Sequence, residues 1–250
     1  MNGKNQNLSA EPGQGPAAEL DPKTARKEAI NDMKRIHIMD AALKVIARDG
    51  YISVRLEDIA EEAGFSKASI YHYFPDKEAL IMHILIREQR TTYEDCVKVA
   101  ERGLPFLETL REIGHIFYER ILTSKVYGGL QSGGASPSPA MMASLFASVT
   151  KHEDLFNASL ICKRDTVNLV VRIVSKARED GVLTVPVDDL TVCNIILSFM
   201  QSFFMERMHG QQMGMTGQCC SRPPSMEDFD KVVDSMFIFM KPWIKEANHA

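Results

Sequence analysis

A tight break between two short helical patterns constrains this chain more than any other feature of its sequence. Leu56 to Ala63 sets Leu56, Ile59, Ala60 and Ala63 on one face and Glu57, Asp58, Glu61 and Glu62 elsewhere. Gly64-Phe65-Ser66 interrupts the pattern, and Lys67 to Phe74 resumes it with Ile70 and Phe74 four residues apart. Ser66 supplies the hydroxyl that a helix N-terminus needs, Pro75 ends the second helix, and Asp76 caps a third that runs to about Ala100. Two helices joined by about three or four residues that include a glycine form a helix-turn-helix.

The rest of the chain is helical in period. Residues 1–22 are rich in Gly, Pro, Asn and Gln with few large apolar side chains, and are expected to be disordered. From Lys23 onward Ile36, Met39, Leu43 and Ile46 make one apolar stripe, which Gly50 ends. Further helices are expected at about 105–123, 140–149, 153–180, 189–209 and 226–246. Gly/Pro/Ser-rich loops are expected at Gly128 to Pro139 and Gly210 to Ser225. Val182 to Val187 has strand-like residues, but Pro186 and the lack of a partner strand favour a connector. The expected architecture is all-α: an N-terminal three-helix helix-turn-helix domain over 23–76 and a larger helical domain over 77–250.

The formal net charge is −4, so global charge offers no argument for nucleic-acid binding, and the argument rests on local arrangement. With Ile70 and Phe74 turned inward, the second helix of the motif presents Lys67, Ala68, Ser69, Tyr71 and His72 outward, with Tyr73 at the edge. Ala68 and Ser69 are small enough for the backbone to approach base edges closely. Ser69 can bond base or phosphate, and Ala68 can meet a thymine methyl. Tyr71 and Lys77 suit phosphate contacts that set register, as does Arg55 ahead of the acidic helix, and the amides at Ser66 and Asp76 favour phosphate as well. Lys23, Arg26, Lys27, Lys34 and Arg35 concentrate positive charge before and within the first helix. They either reach DNA, with Lys34 and Arg35 as candidates, or form a solvated helix face.

Other classes are disfavoured. Five cysteines without a CxxC pair argue against a disulfide framework and for a reducing compartment. Met1 to Asp21 holds no apolar core for a signal peptide. The apolar run from Leu190 to Met208 contains Asn194, Ser198, Gln201 and Ser202, so it reads as a buried helix rather than a membrane span. A cytoplasmic protein without membrane contact is expected. No Gly-rich phosphate loop, nucleophile elbow or metal-ligand spacing is present, so neither an enzyme, a cofactor nor a bound metal is expected. Cys219-Cys220, near His209, Met213 and Met215, lacks a standard ligand spacing. His37, His83, His115 and His152 read as isolated, structural or exposed.

Gly50-Tyr51, then Ile59-Ala60-Glu61-Glu62-Ala63-Gly64-Phe65-Ser66-Lys67, then Ile70-Tyr71-His72-Tyr73-Phe74 and Lys77-Glu78-Ala79-Leu80 closely resemble the reader of the TetR family over about residues 30–85. One departure is Val54-Arg55, where Thr or Ser residues often start the second helix; Ser53 is the expected substitute cap. The resemblance implies that the outward positions on Ser66 to Phe74 touch DNA. It also implies a homodimer on a palindromic operator, which is most often repressed until a small-molecule effector releases it. A pair of readers binds far more tightly than one. The last two helices, apolar nearly all round, would supply a four-helix contact through Ile195, Ile196, Phe199, Met200, Phe203, Phe204, Val233, Met236, Phe237 and Met240. Candidate walls for a largely apolar effector are Phe106, Leu110, Ile113, Phe117, Met141, Met142, Phe146, Leu169, Ile173, Phe199 and Phe203, with Arg172 for an anionic group; ordinary core packing is the alternative for each apolar residue and a surface position for the arginine. Arg111 and Arg164 are weaker candidates for the same anion. The alternative to an effector-controlled regulator is an architectural or partner-regulated DNA-binding protein without an effector.

Overall fold

The computed structural model describes residues 21–50, 53–123, 151–200 and 225–245. In chain order its helices are α1 (Pro22–Asp49), α2 (Leu56–Ala63), α3 (Lys67–Tyr73), α4 (Lys77–Ala100), α5 (Phe106–Thr123) and α6 (Glu153–Glu179). An α7 is described over 189–200, and α8 (Met226–Met240) runs into a short 3-10 turn, Lys241–Trp243. The fold is all-α, with an N-terminal helix-turn-helix followed by a larger helical domain. By packing, the described residues divide into two compact units, one ending at Ile36 and the other starting at His37.

α3 has only seven residues, far too few to hold a helix alone in water. Its stability comes from burial. Ile70 and Phe74 are fully buried beside Ile38, Val45 and Ile46 of α1, Ile59 of α2 and Leu80 and Ile84 of α4. Full burial of one such side chain contributes roughly 1.5–3 kcal/mol. The turn ahead of α3 requires Gly64 at φ 68, a left-handed conformation that strains any residue with a Cβ. In that geometry the Phe65 amide returns to the Ala60 carbonyl at 2.9 Å and closes α2. α2 starts at Arg55, not under a Ser53 cap: the Asp58 carboxylate reaches back and accepts the Arg55 amide at 2.8 Å. This resolves the departure at Val54-Arg55 by moving the capping group three residues downstream.

The larger domain packs α4, α5 and α6 through Cys96, Val99, Ile113 and Leu169. A second cluster joins Phe106 and Leu110 of α5 to Val170 and Val174 of α6, Val192, Cys193 and Ile196 of α7 and Met236 of α8. α5 and α8 approach so closely at Gly114 that a Cβ there would lie 2.9 Å from Phe229 Cζ. The 182–187 run, expected to lack a partner, pairs through a single antiparallel bridge, Leu183 with Ile244, flanked by Lys245 N–H to the Val182 carbonyl at 2.9 Å. The expected helices 105–123 and 153–180 are present within a residue at their ends. The expected 226–246 helix stops at Met240 because Pro242 has no amide to continue it. The expected helix 140–149 and loop 128–139, loop residues 210–224 and most of the 1–22 segment lie outside the described residues. Among the described residues no helix is long and apolar enough to cross a membrane.

Candidate nucleic-acid interface

The outer face of α3 is built by the burial of its inner face. Lys67, Ala68, Tyr71 and His72 are exposed, Ser69 and Tyr73 are half-buried, and Tyr73 packs edge-on to Phe65 at the margin of the core. Ser66 is the N-cap: its hydroxyl accepts the Ser69 amide at 3.1 Å and lies 2.9 Å from the Ser69 hydroxyl. Ser69, expected to reach base or phosphate, therefore has its hydroxyl already engaged beside the cap. Arg55 stands exposed at the N-terminus of α2, with its guanidinium 4.0 Å from Asp58.

One carboxylate organises this face, although in sequence it is one of four acids on α2. Glu57 of α2 receives the Lys67 ammonium at 2.5 Å and the Tyr71 hydroxyl at 3.4 Å, while Lys67 lies 5.9 Å from the Tyr71 ring centroid. The hydrogen bond from Lys67 holds the Glu57 carboxyl below its ordinary pKa, and the same bond holds the Lys67 ammonium above its own. The two candidate contacts on α3 are thus parked on a carboxylate contributed by the partner helix of the motif. Its signal in the sequence is the placement of an acidic residue one position into α2, which is readable only once the crossing of α2 and α3 is known.

Lys77 departs from expectation. Its ammonium turns inward and donates to the Val54 carbonyl at 3.0 Å, and burial lowers its pKa. It ties the start of α4 to the chain entering α2. Asp76, just before it, caps α4 by accepting the Ala79 amide at 2.8 Å. The same carboxylate meets Lys151 at 2.5 Å and the His152 Nε2 at 3.0 Å, both at the entry to α6. Burial pushes the Asp76 carboxyl up, but Lys151, the Ala79 amide and His152 together bring it below its ordinary pKa. His152, expected to be isolated, therefore joins the larger domain to the corner that follows α3. His115 is likewise engaged, 2.7 Å from Asp230, and His37 meets the Ala63 carbonyl at 3.1 Å.

The effector candidates separate by burial. Phe106, Leu110, Ile113 and Leu169 fill the core, whereas Phe117, Ile173 and Phe199 stay half-buried. Arg172 is exposed on α6 instead of facing inward, because it points away from the arc of the helix that Leu169, Val170 and Val174 bury. Arg111 pairs with Asp230 at 3.1 Å and with Asp234, so it fastens α5 to α8. Arg164 stands near its neighbour Asp165. Met141, Met142, Phe146 and Phe203 lie outside the described residues, as do Phe204 and Cys219-Cys220.

The dimer candidates need a correction of phase. Ile196, Val233 and Met236 are buried within the protomer, while Phe199, Met200, Phe237 and Met240 are half-buried and only Ile195 is well exposed. Phe229, Val233 and Met236 take the inner face of α8, which leaves Ile238 and Phe239 outward at 70% and 72% exposure. A helix that is apolar on every side carries no mark in its sequence of which side its own core will claim.

With this geometry in view, residues 38–84 match the family described as "Bacterial regulatory proteins, tetR family". The chain is 33% identical over 94 residues to an uncharacterized HTH-type transcriptional regulator, YuxN, of Bacillus subtilis, covering 38% of this chain and 32% of that one. It is 32% identical over 93 residues to the HTH-type transcriptional regulator BetI of Agrobacterium fabrum, covering 37% and 45%. The chain thus spans less than half the length of these curated relatives. Among solved structures, a putative TetR-family transcriptional regulator from Mesorhizobium loti superposes with a TM-score of 0.61 at 16% identity, over 86% of this chain and 98% of that one. That likeness extends the shared fold through the larger helical domain.

Proposed function

We propose that the chain belongs to the TetR family through its reader domain, and that it is a sequence-specific DNA-binding transcriptional regulator acting as a homodimeric repressor. The observation that carries the reading is the division of α3: Ile70 and Phe74 are fully buried while Lys67, Ala68, Tyr71 and His72 stand outward on one exposed face. Such a helix is rigidly held and has a free side of the size a major groove admits. Lys67, Tyr71, His72 and the exposed Arg55 are the groups that meet DNA, and Lys77 supports α2 from beneath. The exposed apolar groups of α7 and α8, Ile195, Ile238 and Phe239, form the contact between copies, since exposed aromatic and aliphatic side chains on neighbouring helices favour a partner surface.

A largely apolar effector contacts the half-buried Phe117, Ile173 and Phe199 in the larger domain and binds preferentially to the form that releases DNA. Its leverage on DNA affinity equals its differential affinity for the two forms. The link between Asp76 and His152 connects that domain to the corner after α3. Titration of a fluorescent duplex from the region upstream of the gene tests the assignment, beside Tyr71→Ala. Binding with two protomers per duplex is expected, weakened about 5- to 150-fold per half-site by the substitution, for the loss of a contact of roughly 1–3 kcal/mol in each. Equal affinity for unrelated duplexes would indicate an architectural protein, and no binding at low salt would refute the assignment.

A further inference from the structure

α1 starts well before the reader's core. Every residue from Asp21 to Ile36 is exposed except the half-buried Asn31, whereas burial begins at Ile38 and Met39. At 100° per residue, Lys23, Lys27 and Lys34 fall within roughly 40° of one another around the helix. Glu28 and Asp32 fall roughly 100–180° away from them, with Arg35 about 20° from Glu28. Arg35 donates to Asp32 at 3.0 Å, so its charge is neutralised locally. No ion pair among the described residues involves Lys23, Lys27 or Lys34. The result is a basic stripe on one side of the helix, with the exposed Ile30 on the same side between Lys27 and Lys34, in a chain whose net charge is −4.

We propose that residues 22–36 are a preformed basic arm whose Lys23, Lys27 and Lys34 stripe holds the sugar–phosphate backbone of DNA without reading its sequence. The proposal rests on the reader assignment and deepens it. From Lys23 to Lys34 the helix rises about 16 Å, comparable with the axial rise of about five base pairs, so the three ammonium groups reach different phosphates. The arm is already helical, which spares much of the ordering entropy that a flexible tail would lose on binding. An anionic membrane is the poorer fit, since interfacial helices anchor through Trp, Phe or Leu and none of these occurs in residues 22–36. Arg35, a candidate contact in the sequence, takes no part because it lies on the acidic side of the helix.

The salt dependence of DNA affinity tests the proposal, with the full chain, the triple variant Lys23→Gln/Lys27→Gln/Lys34→Gln and Arg35→Gln measured on the same duplex. Each phosphate contact contributes about 0.9 to the slope of log affinity against log salt, so with two protomers per duplex the triple variant loses six contacts and about 5.4 from the slope. Between 50 and 200 mM salt the unsubstituted chain would then lose about 1,800-fold more affinity than the triple variant. Arg35→Gln should keep the original slope, and all three proteins should melt alike because the substituted side chains are exposed. A triple variant with an unchanged slope overturns the proposal. Capture of the unsubstituted chain, but not the triple variant, by phosphatidylserine vesicles together with an unchanged slope reassigns the arm to a membrane surface. Failure of the unsubstituted chain to bind DNA at any salt overturns the reader assignment and this proposal together.

Discussion

Replacement of Glu57 by Gln should tighten DNA binding although it removes the most connected side chain on the reader's outer face. In the free protein Glu57 holds Lys67 at 2.5 Å and receives the Tyr71 hydroxyl at 3.4 Å. The pair is solvent-accessible, with 65% of the Lys67 side chain and 40% of the Glu57 side chain exposed. Screening therefore makes the ion pair a weak contributor to folding, and its loss should leave the melting temperature nearly unchanged. DNA binding is affected in the opposite sense, because phosphate competes with Glu57 for Lys67 and is itself repelled by the carboxylate. Full release of Lys67 in both protomers adds about 1.8 to the salt slope, which is a further loss of about 12-fold between 50 and 200 mM salt. Fluorescence anisotropy of Glu57→Gln, Lys67→Gln and the double variant measures this directly. The expected pattern is tighter, more salt-sensitive binding for Glu57→Gln, weaker and less salt-sensitive binding for Lys67→Gln, and no gain from Glu57→Gln once Lys67 is gone. Weakening by Glu57→Gln comparable with that of Lys67→Gln would refute the reasoning and show that Glu57 aims the lysine at DNA.

Asp76→Asn keeps a capping oxygen but removes the charge that Lys151 and His152 face. Because the Asp76 pKa is lowered in the folded protein, its ionised form contributes stability above about pH 4, the unfolded value, and that contribution is lost as pH falls toward the folded value. Urea unfolding should show the wild type ahead of Asp76→Asn at pH 7 and the gap closing below about pH 4; a gap independent of pH would leave capping as the carboxylate's only role. Gly114→Ala gains up to about 1 kcal/mol of helix propensity but forces a methyl against a Phe229 ring that has no room to withdraw, at about 1–3 kcal/mol. A net loss of up to about 2 kcal/mol, or a melting temperature lower by up to roughly 8 °C, is expected by calorimetry, and a stabilised variant would contradict the close packing of α5 on α8.

The reader was legible in the sequence because its determinants are local. A period of 3.6 residues, a glycine at the turn, Ser66 and Asp76 as caps and Pro75 as a stop each act within a few residues, and the structure places all of them as read. Burial of Ile70 and Phe74 follows from the same spacing. What the sequence left open depends on groups far apart in the chain. Lys77 looked like a phosphate contact until the fold brought the Val54 carbonyl, 23 residues away, within 3.0 Å of its ammonium. His152 looked isolated until α6 entered beside Asp76, 76 residues earlier. On α8 the apolar residues surround the helix, so periodicity carried no phase, and only packing decided that Val233 and Met236 turn inward while Ile238 and Phe239 remain outside. The sequence determined which segments are helices and which residue types each helix offers, since those depend on backbone and side-chain preferences among near neighbours. Tertiary structure decided which offered groups are spent on the protein itself, because a hydrogen bond or a buried face needs a partner that only the folded chain supplies.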